Sequence, residues 1–207
     1  MILYHFHTSP FARRVRLVLA AKGLTAELRD PRQEDKWWPE LHRLNPLQTV
    51  PTLVDGELVL TDSLAITAHL EERVPTPPVW PQERSEALEL VRLADRAVDT
   101  IVDLGLRYFP APDPIKAKML GRAQGALDLL GRKIEERGAA PYLVGDAWSI
   151  ADIAAVTTGL WFAGLPARAA TVPLARQVVD LGWTVPPALA AWTDARKTRP
   201  DVASLSA

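Results

Sequence analysis

The 207-residue chain has 24 basic and 25 acidic side chains, a net charge of −1, and is 48% hydrophobic and 24% charged. That composition belongs to an ordinary globular protein long enough for two modest domains, and its charge balance argues against nucleic acid or an anionic membrane as partner. The chain contains no cysteine, which excludes disulfides, zinc–thiolate sites and any reaction in which the protein supplies its own thiol. The four histidines, His5, His7, His42 and His69, match no metal-ligand spacing, so no metal is expected. No apolar run is expected to reach the length of a membrane span. The N-terminus lacks the pattern of a secretory signal, and on that reading a cytoplasmic location is expected.

The opening apolar run predicts a strand over Ile2–Phe6, and the periodic residues that follow predict a helix from Phe11 to Lys22, closed by Gly23. Pro10 is preset for the first helical position, so Ser9 falls at the N-cap. A helix start offers unpaired N–H groups and partial positive charge, so this joint serves either as a plain cap or as a place to stabilise an anion such as a thiolate. A second strand is expected near Thr25–Arg29, then a polar stretch containing Trp37-Trp38-Pro39. The two tryptophans either form a wall of a site or pack against the sheet.

After Asn45-Pro46, the run Val50-Pro51-Thr52-Leu53-Val54, a turn at Asp55-Gly56 and the run Leu58-Val59-Leu60 predict a hairpin. A helix from Ser63 to Glu72 follows, with Asp62 or Ser63 as its cap. The order βαβ then ββα predicts a mixed sheet with helices packed on it, closing near residue 74. Pro75, Pro77, Pro78 and Pro81 mark a linker over residues 75–82. From 83 to 207 the pattern is helical. Leu88, Val91, Ala94, Val98, Ile101 and Val102 define one helix, and Met119, Ala123, Ala126, Leu127, Leu130 and Ile134 a second that ends at Gly138. Ser149 and Asp152 have capping-box spacing before a buried helix, and Pro186-Pro187 opens a last helix through Trp192.

Four segments, in order, resemble the glutathione transferase family: Ser-Pro-Phe-Ala-Arg-Arg-Val-Arg from residue 9, Asn-Pro-Leu-Gln-Thr-Val-Pro-Thr-Leu-Val from residue 45, Asp-Ser-Leu-Ala-Ile from residue 62, and Gly145-Asp146-Ala147-Trp148-Ser149-Ile150-Ala151-Asp152. The resemblance covers nearly the whole chain. It implies a thioredoxin-like N-terminal domain that binds glutathione, a helical-bundle C-terminal domain that covers a small hydrophobic electrophile, and a homodimer.

The same resemblance assigns Ser9 the hydroxyl that donates a hydrogen bond to the glutathione sulfur. Phe11 and Arg13 are further candidate glutathione contacts; Arg13, Arg14 and Arg16 put positive charge in the first turns of a helix, against its dipole, where solvent or an acidic side chain such as Asp62 offsets it more readily than a bound glutathione. Val50, before Pro51, matches the residue whose backbone pairs with the cysteinyl part. Ser63 matches the site of the γ-glutamyl carboxylate, and Asp62 the longer Glu or Gln that holds the α-amine. Thr49 stands where many members place Lys or Arg, which implies weak glutathione affinity. Tyr108 and Phe109 are candidates for the electrophile pocket. Without a cysteine at the Ser9 position, thiol–disulfide exchange is set aside. The resemblance leaves a transferase, a glutathione-dependent isomerase and a non-catalytic dimeric binding or regulatory protein as competing readings.

Overall fold

The computed structural model describes residues 1–107 and 112–206, so the candidates Tyr108 and Phe109 lie outside the described residues. The chain divides into two compact units, one running from Met1 to Pro81 and joined by the segment from Arg199 onward, the other from Gln82 to Thr198. The helical domain expected over 83–207 is amended at its far end, because the chain after Thr198 groups with the first unit.

The first unit holds a four-stranded sheet in the order β2-β1-β3-β4, formed by Glu27–Arg29, Ile2–Tyr4, Thr52–Asp55 and Leu58–Leu60. β1 runs parallel to β2 and antiparallel to β3, and β3 is antiparallel to β4. This mixed sheet, with α1 (Pro10–Ala21) and α3 (Ser63–Arg73) packed together beside it, is the thioredoxin-like arrangement. Its core is Leu3, Tyr4, Val15, Val18, Leu41, Leu53, Ile66 and Leu70, all fully buried.

Local chemistry sets the ends of α1. Ser9 caps its start with Pro10 at the first position. At its end the Gly23 and Leu24 N–H groups donate to the Ala20 and Leu19 carbonyls, the paired bonds of a Schellman motif. In the hairpin, Asp55 pairs with Leu58, so the turn residues are Gly56 and Glu57, one position later than expected. Gly56 has φ 63°, the positive angle that a two-residue hairpin turn requires at its first position.

The polar stretch also holds an element the periodicity does not announce, a 3-10 turn over Asp35–Trp37 leading into α2 (Trp38–Leu44). Only Leu41 of α2 is buried, and α2 is tied to the sheet through polar contacts instead. Arg29 Nη1 donates to Glu40 Oε2 at 2.7 Å and to the Tyr4 hydroxyl at 2.9 Å. The Arg29 guanidinium lies 4.2 Å from the Trp37 ring centre, and the Trp38 ring meets those of Phe6 and His42 in tilted contacts. Both tryptophans are thus engaged in packing.

The second unit contains α4 (Arg84–Val102), a π-helical turn over Asp103–Arg107, α5 (Asp113–Arg137), α6 (Ile150–Ala169), α7 (Pro173–Val179) and α8 (Pro187–Arg196). α9 (Pro200–Ala203) belongs to the first unit, packed on α1. The expectation that no apolar run reaches membrane-span length is corrected by α6, a 20-residue helix with mean hydropathy 1.4. Its Ile150–Gly159 run, with Trp161 and Phe162, is buried and packs on α4, α7 and α8, as the central helix of this unit. A capping box opens α6, with Asp152 accepting from the Ser149 and Leu143 N–H groups, each at 2.9 Å.

Candidate functional site

Sheet register brings the sequence's three polar joints to one end of the first unit. Tyr4 lies opposite Thr52, and Leu53 opposite Leu60. The chain leaving β1 toward Ser9, the chain entering β3 from Val50-Pro51 and the chain leaving β4 toward Asp62-Ser63 therefore share that end.

At the first joint, Ser9 Oγ accepts from the Ala12 N–H at 3.3 Å, and the Ser9 carbonyl accepts from Arg13. Pro10 has no N–H, so the Phe11 N–H is the remaining donor of the first turn, with no hydrogen-bond partner among the described residues. The Ser9 hydroxyl accepts one bond and keeps its proton to donate. A hydroxyl donor and a free helix-start N–H thus stand side by side, with the positive end of α1 behind them.

The loop before Ser9 is braced from behind. Arg13 is buried, and its Nε donates to the His7 carbonyl at 3.0 Å. Asp30 takes the His7 N–H at 3.1 Å. His5 is 6% exposed and its Nδ1 has no hydrogen-bond partner among the described residues. Burial and the nearby Arg16 charge push its pKa down to about 4, so it is neutral at physiological pH.

At the second joint the Val50–Pro51 bond is cis, and no backbone hydrogen bond engages Val50 among the described residues. Asn45, which sequence reasoning missed, holds the loop. It is fully buried, and its Nδ2 donates to the Thr49 carbonyl at 3.0 Å, to Thr49 Oγ1 at 3.2 Å and to Thr52 Oγ1 at 2.9 Å. Asn45 Oδ1 accepts from the Leu47 N–H at 2.9 Å. The Thr49 side chain is therefore turned to the loop's own polar contacts, and Val50 is presented with its backbone groups unengaged. The sequence marks Asn45 through the Asn-Pro pair, a turn mark that says nothing of burial.

At the third joint Asp62 is the N-cap of α3, its Oδ1 accepting from the Leu64 and Ala65 N–H groups at 2.8 and 3.0 Å. Its Oδ2 has no hydrogen bond among the described residues. Ser63 is 5% exposed, and its Oγ accepts from Arg14 Nη1 at 3.0 Å. Among the described residues no cluster of three or more His, Cys, Asp or Glu side chains forms a metal site.

Chemically, the set offers hydrogen-bond donors for an anion at Ser9 and the start of α1, an open backbone at Val50 able to pair with an extended segment, and a hydroxyl beside a carboxylate at Ser63 and Asp62.

A family model described as "Glutathione S-transferase, N-terminal domain" matches residues 3–78. The chain is 46% identical over 85 residues to Glutathione S-transferase 1 of Dianthus caryophyllus, covering 40% of this chain and 38% of that protein. It is 39% identical over 104 residues to the Probable maleylacetoacetate isomerase of Vibrio cholerae, covering 48% of each. These alignments span less than half the length of the curated relatives they match. Along 98% of this chain and 92% of the other, the fold superposes on a glutathione S-transferase of Methylobacterium radiotolerans in complex with glutathione sulfonate, with 28% identity and a TM-score of 0.73. A matching family model and relatives that carry the family's name make residues 3–78 a glutathione S-transferase N-terminal domain, in a chain whose fold is shared along nearly its whole length with a glutathione S-transferase.

Proposed function

We propose that the first unit binds glutathione and that Ser9 activates its thiol for attack on a small hydrophobic electrophile. The observation that carries this reading is the Ser9 joint, where the hydroxyl accepts from Ala12 and keeps its proton beside the free Phe11 N–H. A free thiol has a pKa of about 8.5 and reacts as its thiolate. Two donors and a helix start favour the anion and raise its population at neutral pH. Ser9 forms no covalent bond. It donates a hydrogen bond, and the nucleophile is the sulfur of glutathione.

In this reading Val50 pairs with the cysteinyl backbone, Ser63 takes the γ-glutamyl carboxylate and Asp62 Oδ2 the α-amine. Phe11 contributes its N–H to the sulfur, Arg13 acts by bracing the His7 carbonyl, and Thr49 acts through the loop. Glutathione is a co-substrate, no metal takes part, and the working unit is a cytoplasmic homodimer. Isomerisation with glutathione as cofactor is the second reading, favoured by the 39% identity to the protein of Vibrio cholerae named as a probable isomerase. Both begin from the same thiolate.

The test is a titration of reduced glutathione followed by assays with a panel of aryl and alkyl electrophiles and with cis-configured unsaturated diacids. Consumption of glutathione with an electrophile supports transfer, and turnover of the diacid without consumption supports isomerisation. Binding without either supports a non-catalytic role, and no binding at several millimolar glutathione refutes the proposal.

A further inference from the structure

Arg14 has no part in the machinery described so far, yet it is the largest fully buried side chain among the described residues, 1% exposed. A buried guanidinium is costly to desolvate and is retained where it meets specific acceptors. Here one acceptor is the hydroxyl of Ser63, 3.0 Å from Arg14 Nη1.

We infer that Arg14 is a positioning residue, orienting the Ser63 hydroxyl and making the start of α3 selective for a carboxylate. The inference rests on the glutathione reading of this site. A guanidinium has donors and no acceptor, so a hydroxyl bonded to it can only accept and its own proton must point elsewhere. No other hydrogen bond engages the Ser63 side chain among the described residues, so that proton is the one available to a ligand. Charge assistance from Arg14 also makes the Ser63 hydroxyl a stronger donor, since hydrogen bonds in series polarise one another.

Three positive influences converge on Ser63: the Arg14 guanidinium, the first-turn N–H of Ser63, and the positive end of an 11-residue helix. The sequence places uncharged Thr49 where a cationic contact is usual in the family it resembles. The structure supplies a cation from beneath the site. The Asp62 carboxylate is held to the Leu64 and Ala65 N–H groups, which leaves Ser63 to the ligand's anion and Asp62 to its cation.

The experiment compares two ligands by calorimetry: glutathione, and the analogue lacking only the α-carboxylate of the γ-glutamyl group. Proteins are the wild type, Arg14→Lys, Arg14→Gln, Ser63→Ala and the Arg14→Gln/Ser63→Ala double variant. The wild type is expected to prefer glutathione by at least tenfold. Arg14→Gln and Ser63→Ala should each reduce that preference below about threefold, with the double variant no worse than either single one. Arg14→Lys, which keeps charge but loses the fork, should recover part of it. A purely structural Arg14 would lower stability and leave the preference intact in every variant that folds, and that result overturns the inference. If the Arg14 variants do not fold, an undiminished preference in Ser63→Ala overturns it equally. Wild-type binding of both ligands with equal affinity sinks this inference alone, whereas no binding of glutathione sinks the proposed function with it.

Discussion

Replacing Lys22 by Met should destabilise the first unit by about 3 kcal/mol. Lys22 lies at the end of α1 with its side chain fully buried, and its Nζ sits 2.5 Å from both Glu71 Oε2 on α3 and the Pro77 carbonyl in the linker. Met fills the same volume but donates nothing. Each hydrogen bond to a charged group contributes about 1.5–3 kcal/mol, and breaking a buried pair by removing one partner costs about 3–5 kcal/mol. The lower end applies because Glu71 is 13% exposed and keeps the Val79 N–H at 3.1 Å, so the stranded carboxylate retains a donor and some water. The double variant Lys22→Met/Glu71→Gln removes the stranded charge and should recover at least about 1 kcal/mol of the loss. Urea unfolding gives the stability difference, and hydrogen exchange at the Leu3 and Leu53 amides assigns it to the first unit. A loss below about 1 kcal/mol, the scale of an exposed ion pair, refutes the reasoning.

Three further outcomes are expected. His5 is held neutral with its pKa lowered from 6.5 to about 4, so its contribution is fully present above pH 6.5 and is lost as pH falls through about 4, amounting to about 3 kcal/mol; urea midpoints measured across that window should show a slope that His5→Gln abolishes. Asn45→Ala leaves the Thr49 carbonyl and two threonine hydroxyls without their shared donor, and should cost about 2–3 kcal/mol while weakening glutathione binding in calorimetry more than a stability-matched core variant such as Leu41→Val. Ser149→Ala removes half of the capping box of α6 and should cost about 1 kcal/mol in thermal unfolding, with the glutathione titration unchanged.

Much of the first unit was legible because its punctuation is local. Ser9-Pro10, Gly23 and Gly56 carry conformational preferences that survive whatever packs on them, so α1 and the hairpin fall within a residue or two of the expected places. α2 was not legible, since one buried leucine gives no periodicity and the helix is held by the Arg29–Glu40 pair and tilted ring contacts, contacts that depend on tertiary placement. The length of α6 was obscured by the buried polar residues Asp152, Thr157 and Thr158, of which Asp152 and Thr157 bond to nearby backbone groups and so interrupt an otherwise apolar helix at little cost.

The site divides in the same way. Ser9, Asp62 and Ser63 sit at helix starts, which sequence reveals, whereas the residues that aim them do so at long range. Arg14 lies four residues after Pro10 and four before Val18, both buried, so its place on the apolar stripe was a usable signal.

The central claim is that Ser9 stabilises a thiolate, and the most direct measurement is the pKa of the glutathione thiol bound to the wild type and to Ser9→Ala, followed by thiolate ultraviolet absorbance across pH. The account predicts a bound thiol well below the free value of about 8.5, and a rise of at least about one unit when the hydroxyl is removed. A bound thiol at the free value in the wild type, or an equally depressed one in Ser9→Ala, would contradict it.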